Sequence, residues 1–310
     1  MTNQTMHEIN RRYALEVHGL TKSYGKVQAL RGIDLEVQYG EIFAFLGPNG
    51  AGKTTTIRCL LDMIRPDHGQ SRLLGMDPQK HTIAVQERTG YLPGEMQFYE
   101  NMTVARQLRF FNDIRNRKTE WKSIRELADR LDLDLKTQIK NLSKGNKQKL
   151  GVIQALMHRP ELLILDEPTS GLDPLMQLEV LNMLREANAA GATVFFSSHI
   201  MSEVEELAER VAIIRSGKIV EVNHTKNLTH HAMRRLTVRF KEPIEIDGYF
   251  NLPGVEILSQ PNPTSLQLQV TGAMEELIRN LGQLPVLDLE TEHLSLEEVF
   301  LAYYKNMDKQ

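Results

Sequence analysis

Gly47-Pro48-Asn49-Gly50-Ala51-Gly52-Lys53-Thr54 fits the spacing G-x-x-x-x-G-K-[ST], which closes backbone amides around a phosphate. Gly47, Gly50 and Gly52 permit the positive φ and close backbone approach that such wrapping needs. Converging N–H groups and the positive end of the next helix would hold the anion. Lys53 would reach the β- and γ-phosphates, and the Thr54 hydroxyl would ligate Mg²⁺. A glycine-rich turn between two elements is the plainer alternative. A pair of carboxylates ends the run Leu162-Leu163-Ile164-Leu165-Asp166-Glu167. Adjacent strand positions point to opposite sides of the pleat. One carboxylate is therefore predicted to orient the metal and the other to polarise water. His199 closes a second such run, Thr193-Val194-Phe195-Phe196-Ser197-Ser198.

These groups need elements that bring them together. Glu41-Ile42-Phe43-Ala44-Phe45-Leu46 reads as a buried strand feeding the glycine-rich loop, and Thr55 to Leu61 as the helix leaving it. The two later apolar runs read as buried parallel strands, whose C-terminal ends are where open α/β sheets place ligands. Tyr13 to His18 and Ile33 to Val37 alternate, as half-buried antiparallel strands do, with Gly25, Gly32 and the exposed Tyr24 in the connection. Thr103 to Arg115 and Thr119 to Leu131 have helical periodicity and predict a helical insertion over about Gly94 to Arg159. Trp121, Phe110 and Phe111 are assigned to packing within it. Ser143 is a good N-cap for the helix carrying Leu150, Ile153 and Met157. Pro174 suits a first helical position and Gly191 a helix end.

The chain has 310 residues, enough for one large or two ordinary domains. Lys and Arg number 37 against 40 Asp and Glu, a net charge of −3 that offers no global basic footprint for nucleic acid. Cys59 is the lone cysteine, so no intramolecular disulfide can form, as suits a reducing compartment. Met1 to Arg12 lacks the apolar core of a signal peptide, and no run approaches the ~18 apolar residues of a membrane span. Val211 to Val222 predicts a hairpin turning at Ser216-Gly217. Residues 223–233 form a polar linker with His224, His230 and His231, read as solvated rather than metal-binding. Residues 234–310 alternate at Leu236, Val238, Phe240 and at Leu266, Leu268, Val270, with helices at 273–281 and 296–304 and a strand at 286–289. This predicts a small α+β unit, with a ferredoxin-like arrangement as one candidate.

Taken in order, Gly47 to Thr54, Leu142 to Asn146, Leu162 to Glu167, Ser170 to Asp173 and His199 resemble the nucleotide-binding subunit of an ATP-binding-cassette (ABC) transporter. The resemblance covers about residues 13–222. It implies an α/β P-loop NTPase cassette with a parallel-sheet core, an antiparallel β subdomain and the helical insertion. It implies adenine stacking on Tyr24 and phosphate contacts from Gly47, Pro48, Asn49, Gly50, Ala51, Gly52, Lys53, Thr54 and Thr55. It further implies magnesium at Thr54 and Asp166, Glu167 as general base, and His199 at the γ-phosphate. Leu142 to Asn146 matches a signature usually written Leu-Ser-Gly-Gly-Gln, so Ser143 and Gly145 would close over ATP on a second copy. Asp173 would communicate between the two sites. This chain has Lys144 and Asn146 in that signature, and Gly94 where a metal-contacting glutamine is usual, with Glu95 next as a candidate substitute. The sequence Pro93-Gly94-Glu95 and the tail at Ser295 to Phe300 resemble ATPases of exporters with separately encoded permeases. The expected protein is thus an ATPase subunit and homodimer, peripheral on the inner membrane face through its permease. The alternatives are a soluble ABC ATPase, or a nucleotide-gated module without turnover.

Overall fold

The computed structural model describes residues 12–115, 119–225, 234–244, 246, 250–270 and 274–293. The chain divides into two compact units between Val222 and Asn223.

In the first unit the apolar runs found in the sequence become the interior strands. Strands β3 (Ile42–Leu46), β6 (Leu162–Asp166) and β7 (Thr193–Ser198) are buried along their whole lengths. Such strands need cover on both faces, and a parallel sheet provides it through crossover helices. With β5 (Thr89–Leu92), β8 (Arg210–Arg215) and β9 (Lys218–His224) they form a six-stranded sheet in the order β5-β6-β7-β3-β8-β9. The pairs from β5 through β8 are parallel. Ser216 and Gly217 both have positive φ, 48° and 77°, as a two-residue turn from β8 into β9 requires. Phe43, Phe45 and Phe195 pack together at the centre, with ring centroids 5.6–6.1 Å apart.

A second sheet has the order β2-β1-β4 and is antiparallel, from β1 (Tyr13–Tyr24), β2 (Val27–Gln38) and β4 (His68–Leu73). The strands themselves run twelve residues each, well beyond the short alternating segments. Tyr24 therefore ends a strand, and Gly32 lies inside β2 at φ 85°, not in the connection. The pairing slips around these points, so the two-residue period breaks and conceals the strand's true length.

Helix α1 (Lys53–Leu60) leaves the glycine-rich loop, and α2 (Thr82–Arg88) leads into β5. Between β5 and β6 lie α3 (Val104–Ile114), α4 (Trp121–Arg130) and α5 (Lys144–Leu156). Thr103 caps α3 by accepting from the Arg106 N–H, and Ser143 caps α5 by accepting from the Asn146 N–H. Trp121 is half-buried, with the Arg109 guanidinium 4.5 Å from its ring centroid. Phe110 meets Tyr99 edge-on at 5.5 Å. Helix α6 (Pro174–Ala189) is capped by Asp173, and α7 (Met201–Leu207) follows β7.

The second unit has a four-stranded sheet in the order β11-β12-β10-β13, made by β10 (Arg234–Phe240), β11 (Val255–Asn262), β12 (Ser265–Val270) and β13 (Val286–His293). Every neighbouring pair is antiparallel. Leu236, Val238, Phe240, Leu266, Leu268 and Val270 pack its core with Leu277 and Leu281 of α8 (Glu275–Leu281). His224 belongs to β9 and not to a linker. His230, His231, the expected helix at 296–304 and the Ser295 to Phe300 segment lie outside the described residues.

Candidate functional site

The glycine-rich loop joins β3 to α1, as its flanking patterns required. Its glycines do two different jobs. Gly50 and Gly52 have φ of 79° and 113°, which L side chains rarely adopt. Gly47 has ordinary φ but no room, because a Cβ there would lie 2.5 Å from the Ile214 carbonyl oxygen. A Cβ on Gly52 would also lie 2.9 Å from the Ala29 carbonyl, so β2 backs the loop. The same β1–β2 hairpin carries Tyr24 at its tip, 49% exposed, with the Lys22 ammonium 5.8 Å from its ring centroid. Pro48, Asn49 and Gly50 are exposed, whereas Ala51 and Gly52 are buried and Thr55 is half-buried.

Lys53 is 5% exposed and its ammonium lies across the loop. It donates to the carbonyls of Gly47 at 2.7 Å and Pro48 at 3.2 Å, and lies 3.5 Å from Glu167 Oε1. The Thr54 hydroxyl donates to Asp166 Oδ2 at 2.7 Å, although 112 positions separate the two residues. Asp166 is 1% exposed, and its other oxygen accepts from the Ser197 hydroxyl at 2.5 Å. One hydroxyl on each carboxylate oxygen fixes the plane of the group. The parallel register sets this up, pairing Asp166 with Ser197 on the neighbouring strand.

Glu167 is placed by a different device from the one its neighbour suggests. Strand β6 stops at Asp166, and Glu167 has a left-handed backbone, φ 53°. Pleat alternation thus does not orient it, and that expectation is corrected. Its N–H donates to the Ser197 carbonyl at 3.2 Å. Its carbonyl accepts from Gln148 Nε2 at 2.9 Å, and the same amide donates to the Pro168 carbonyl at 2.9 Å. The carboxylate then faces both Lys53 and His199, whose Nδ1 lies 3.1 Å from Glu167 Oε1. Gln148, 3% exposed on α5, has a place in this site that its sequence did not announce. Ser197 was visible only as a polar strand end.

The backbone beyond β5 passes the same carboxylate, since a Cβ on Gly94 would lie 3.0 Å from Asp166 Oδ2. Glu95 is exposed. Within one chain, Ser143 and Gly145 face elsewhere. Ser143 contacts the Asn146 N–H, and a Cβ on Gly145 would lie 2.8 Å from the Gly171 carbonyl. The turn at residues 142–145 is thus packed on the loop running from Ser170 to Asp173.

Beside β5 two hollows of about 270 and 320 Å³ share Gln86, Phe111 and Arg115. Tyr91 lines the first, and burial, assisted by the Asp166 charge, pushes its hydroxyl up to about 12. Ile83 and Ile114 line the second and are 75% and 60% exposed. Phe111, which lines both, is half-buried and meets Phe110 edge-on at 5.6 Å, as edge packing within the insertion.

Thr54 and Asp166 offer hard oxygen donors at a phosphate loop. Magnesium is commonly held this way, by one or two protein oxygens together with substrate phosphates. The residues present fit that ion. Among the described residues no group of three or more His, Cys, Asp or Glu forms a self-sufficient metal site.

Residues 30–170 match the family model described as ABC transporter. The chain is 36% identical over 245 residues to the bacitracin transport ATP-binding protein BcrA of Bacillus licheniformis, covering 77% of this chain and 80% of that one. A solved ATP-binding subunit of an ABC transporter superposes with a TM-score of 0.64 at 27% identity, over 70% of this chain and 92% of that one. The ATP-binding cassette MJ0796, solved as a dimer in a post-hydrolysis state with ADP and Pi, superposes with a TM-score of 0.62. At 20% identity, over 68% of this chain and 98% of that one, it shows the fold alone.

Proposed function

The chain belongs to the ABC transporter family as an ATP-binding subunit, and from that premise we propose how its own residues bind and split ATP and what they work with. ATP binding and hydrolysis in the service of transport are the activity of this subunit class, and a soluble non-transport ATPase is not favoured. The observation that carries the assignment of residues is the meeting of Lys53, Thr54, Asp166, Glu167 and His199 at the ends of β3, β6 and β7.

The loop amides of residues 47–54 and the start of α1 hold the β- and γ-phosphates, and the Lys53 ammonium exchanges loop carbonyls for phosphate oxygens. Thr55 lies one position further along α1, and Tyr24 offers its exposed ring to the adenine. Thr54 and Asp166 hold Mg²⁺, which when bound neutralises charge on the phosphate oxygens. Glu95 stays a candidate outer contact to it. Glu167 accepts a proton from the attacking water as its oxygen bonds to the γ-phosphorus and the bond to the leaving ADP oxygen breaks. His199, held by Glu167, donates to a γ-phosphate oxygen. Catalysis is mainly positioning and electrostatic stabilisation, so the fixed plane of Asp166 and the anchored Oε1 of Glu167 matter more than basicity.

Within the chain the contacts of Ser143 and Gly145 are with Asn146 and Gly171, and the recipient of the phosphate contacts the resemblance implies for them is nucleotide on a second copy. A homodimer with two shared sites follows, in which Asp173 and the loop before it link one site to the other. The MJ0796 cassette, solved as a dimer, is consistent with the same arrangement. Among the described residues no helix is long and apolar enough to cross a membrane; a separately encoded permease is the partner that the Pro93-Gly94-Glu95 resemblance supports. The groove at Ile83, Phe111 and Ile114, whose Arg115 guanidinium donates to the Gln86 and Glu87 carbonyls, offers an apolar face to a permease segment. Strand β5 runs from this groove towards Gly94 and Asp166, which gives docking a short route to the metal carboxylate. The resemblance at Pro93-Gly94-Glu95 supports the exporter branch, at the inner face of the membrane.

Glu167→Gln tests the reading. It should bind ATP normally, lose hydrolysis and accumulate as a dimer on size exclusion with ATP and magnesium. Undiminished hydrolysis would remove Glu167 from its role.

A further inference from the structure

A buried carboxylate outside the set just described ties two parts of the site together. Glu203, on α7, is 5% exposed. Its Oε1 accepts from the Thr169 hydroxyl, and its Oε2 accepts from the Ser198 hydroxyl at 2.7 Å. Both hydroxyls are themselves buried, at 1% and 2% exposure. Thr169 stands two positions after Glu167 and four before Asp173. Ser198 immediately precedes His199, and its oxygen also accepts from the Ile200 N–H at 2.9 Å. One carboxylate thus holds the turn that carries Glu167 and the loop that carries His199 through bonds to its two opposite oxygens.

Burying a carboxylate is costly unless its oxygens are satisfied. A hydrophobic side chain at position 203 would avoid burying a charge, but it would leave the Thr169 and Ser198 hydroxyls without this acceptor. Packing alone therefore does not call for a carboxylate. A bidentate acceptor fixes two hydroxyls at a set separation, which an apolar residue cannot do.

We propose that Glu203 is a positioning residue for ATP hydrolysis: through Thr169 and Ser198 it locks the Glu167 turn and the His199 loop into one rigid unit. It touches neither nucleotide nor water. Its removal lets the 3.1 Å contact between His199 and Glu167 open and shifts both groups relative to the γ-phosphate, while the glycine-rich loop stays as it is.

The inference rests on Glu167 and His199 serving the reaction, so Glu167→Gln is run in the same assay. Steady-state ATPase activity and nucleotide affinity are measured on the full chain for Glu203→Ala, Glu203→Gln, Thr169→Val and Ser198→Ala. Misplacing reacting groups by about 1 Å costs on the order of a hundredfold, so Glu203→Ala should lower kcat by about 10–100-fold with KM and nucleotide affinity within about twofold of wild type. Glutamine keeps one acceptor and adds a donor that a hydroxyl oxygen can take. Glu203→Gln should therefore recover kcat to within about threefold of wild type. Thr169→Val and Ser198→Ala each break one arm and should show smaller falls in kcat of the same kind. Wild-type kcat in Glu203→Ala overturns the proposal, and so does a rise in KM at unchanged kcat. If Glu203→Ala fails to fold, the one-arm variants decide: unchanged kcat in both sinks it. Should Glu167→Gln retain hydrolysis, the site assignment itself has failed; if only the Glu203 series is silent, the assignment stands and this inference does not.

Discussion

Gln148→Leu probes how Glu167, the proposed general base, is held without touching any group proposed to meet nucleotide. The side chain is 3% exposed, and its amide nitrogen donates to the carbonyls of Glu167 and Pro168, both at 2.9 Å. Leucine has a similar volume but no donor. The Glu167 carbonyl keeps a second bond, from the Ser170 N–H at 3.2 Å, while the Pro168 carbonyl loses the donor it has. A stranded buried carbonyl costs about 1–3 kcal/mol and the second lost bond about 1 more. The apolar leucine offsets part of this, because no amide need be stripped of water. The net loss is about 2 kcal/mol, or about 4–8 °C in melting temperature for a cooperative unit of ~200 residues. Function should suffer more than stability. A left-handed non-glycine residue is strained by roughly 1–2 kcal/mol, so Glu167 at φ 53° is freer to relax once one of its two carbonyl bonds is gone. Its carboxylate then swings from Lys53 and His199, and kcat should fall by about 10–100-fold. Calorimetry and a steady-state ATPase assay on purified Gln148→Leu read both quantities, with affinity for a fluorescent nucleotide as the control. A variant that melts within about 1 °C of wild type and turns over at the wild-type rate would refute this account.

Two further outcomes follow from the geometry. Lys53→Ala removes a charge-assisted contact worth about 1.5–3 kcal/mol and should weaken nucleotide binding by about 10–100-fold; titration with a fluorescent nucleotide measures it, and unchanged affinity would exclude the lysine. Cys59 lies on α1, is 2% exposed, and burial pushes its thiol up from 9.0 to about 11. A thiol reagent at pH 8 should therefore label it only through opening, more slowly with ATP and magnesium bound, and fast stoichiometric labelling of folded protein would contradict that. Because the folded value is the higher one, the thiol's contribution to stability is complete below pH 9.0 and is lost as pH rises towards about 11.

Residues 47–54 were legible because glycine spacing, an apolar run before and a helical pattern after all report the same local geometry. Buried strands β3, β6 and β7 were legible for a similar reason: unbroken apolar runs leave little choice of environment. Two features escaped. Side-chain alternation reports which face a residue occupies while the strand lasts, but says nothing of where a non-glycine residue turns left-handed, so Glu167 was assigned to a pleat it does not share. Glu203, Glu205, Glu206 and Glu209 lie close together in the sequence with nothing local to tell them apart. Three of them are exposed, while Glu203 is buried against two hydroxyls contributed by residues 34 and 5 positions away. Charge pattern cannot separate that one glutamate from its neighbours, because what satisfies it arrives from the turn after β6 and from the end of β7. The same holds for Gln148, buried on a helix whose sequence also offers Lys147 and Lys149. In this cassette the groups that meet nucleotide are written locally, in motifs, and the groups that hold them still are written only in the packing. Mutating the first kind should abolish binding or chemistry; mutating the second should leave binding intact and slow the chemistry, a division that motif residues alone would never show.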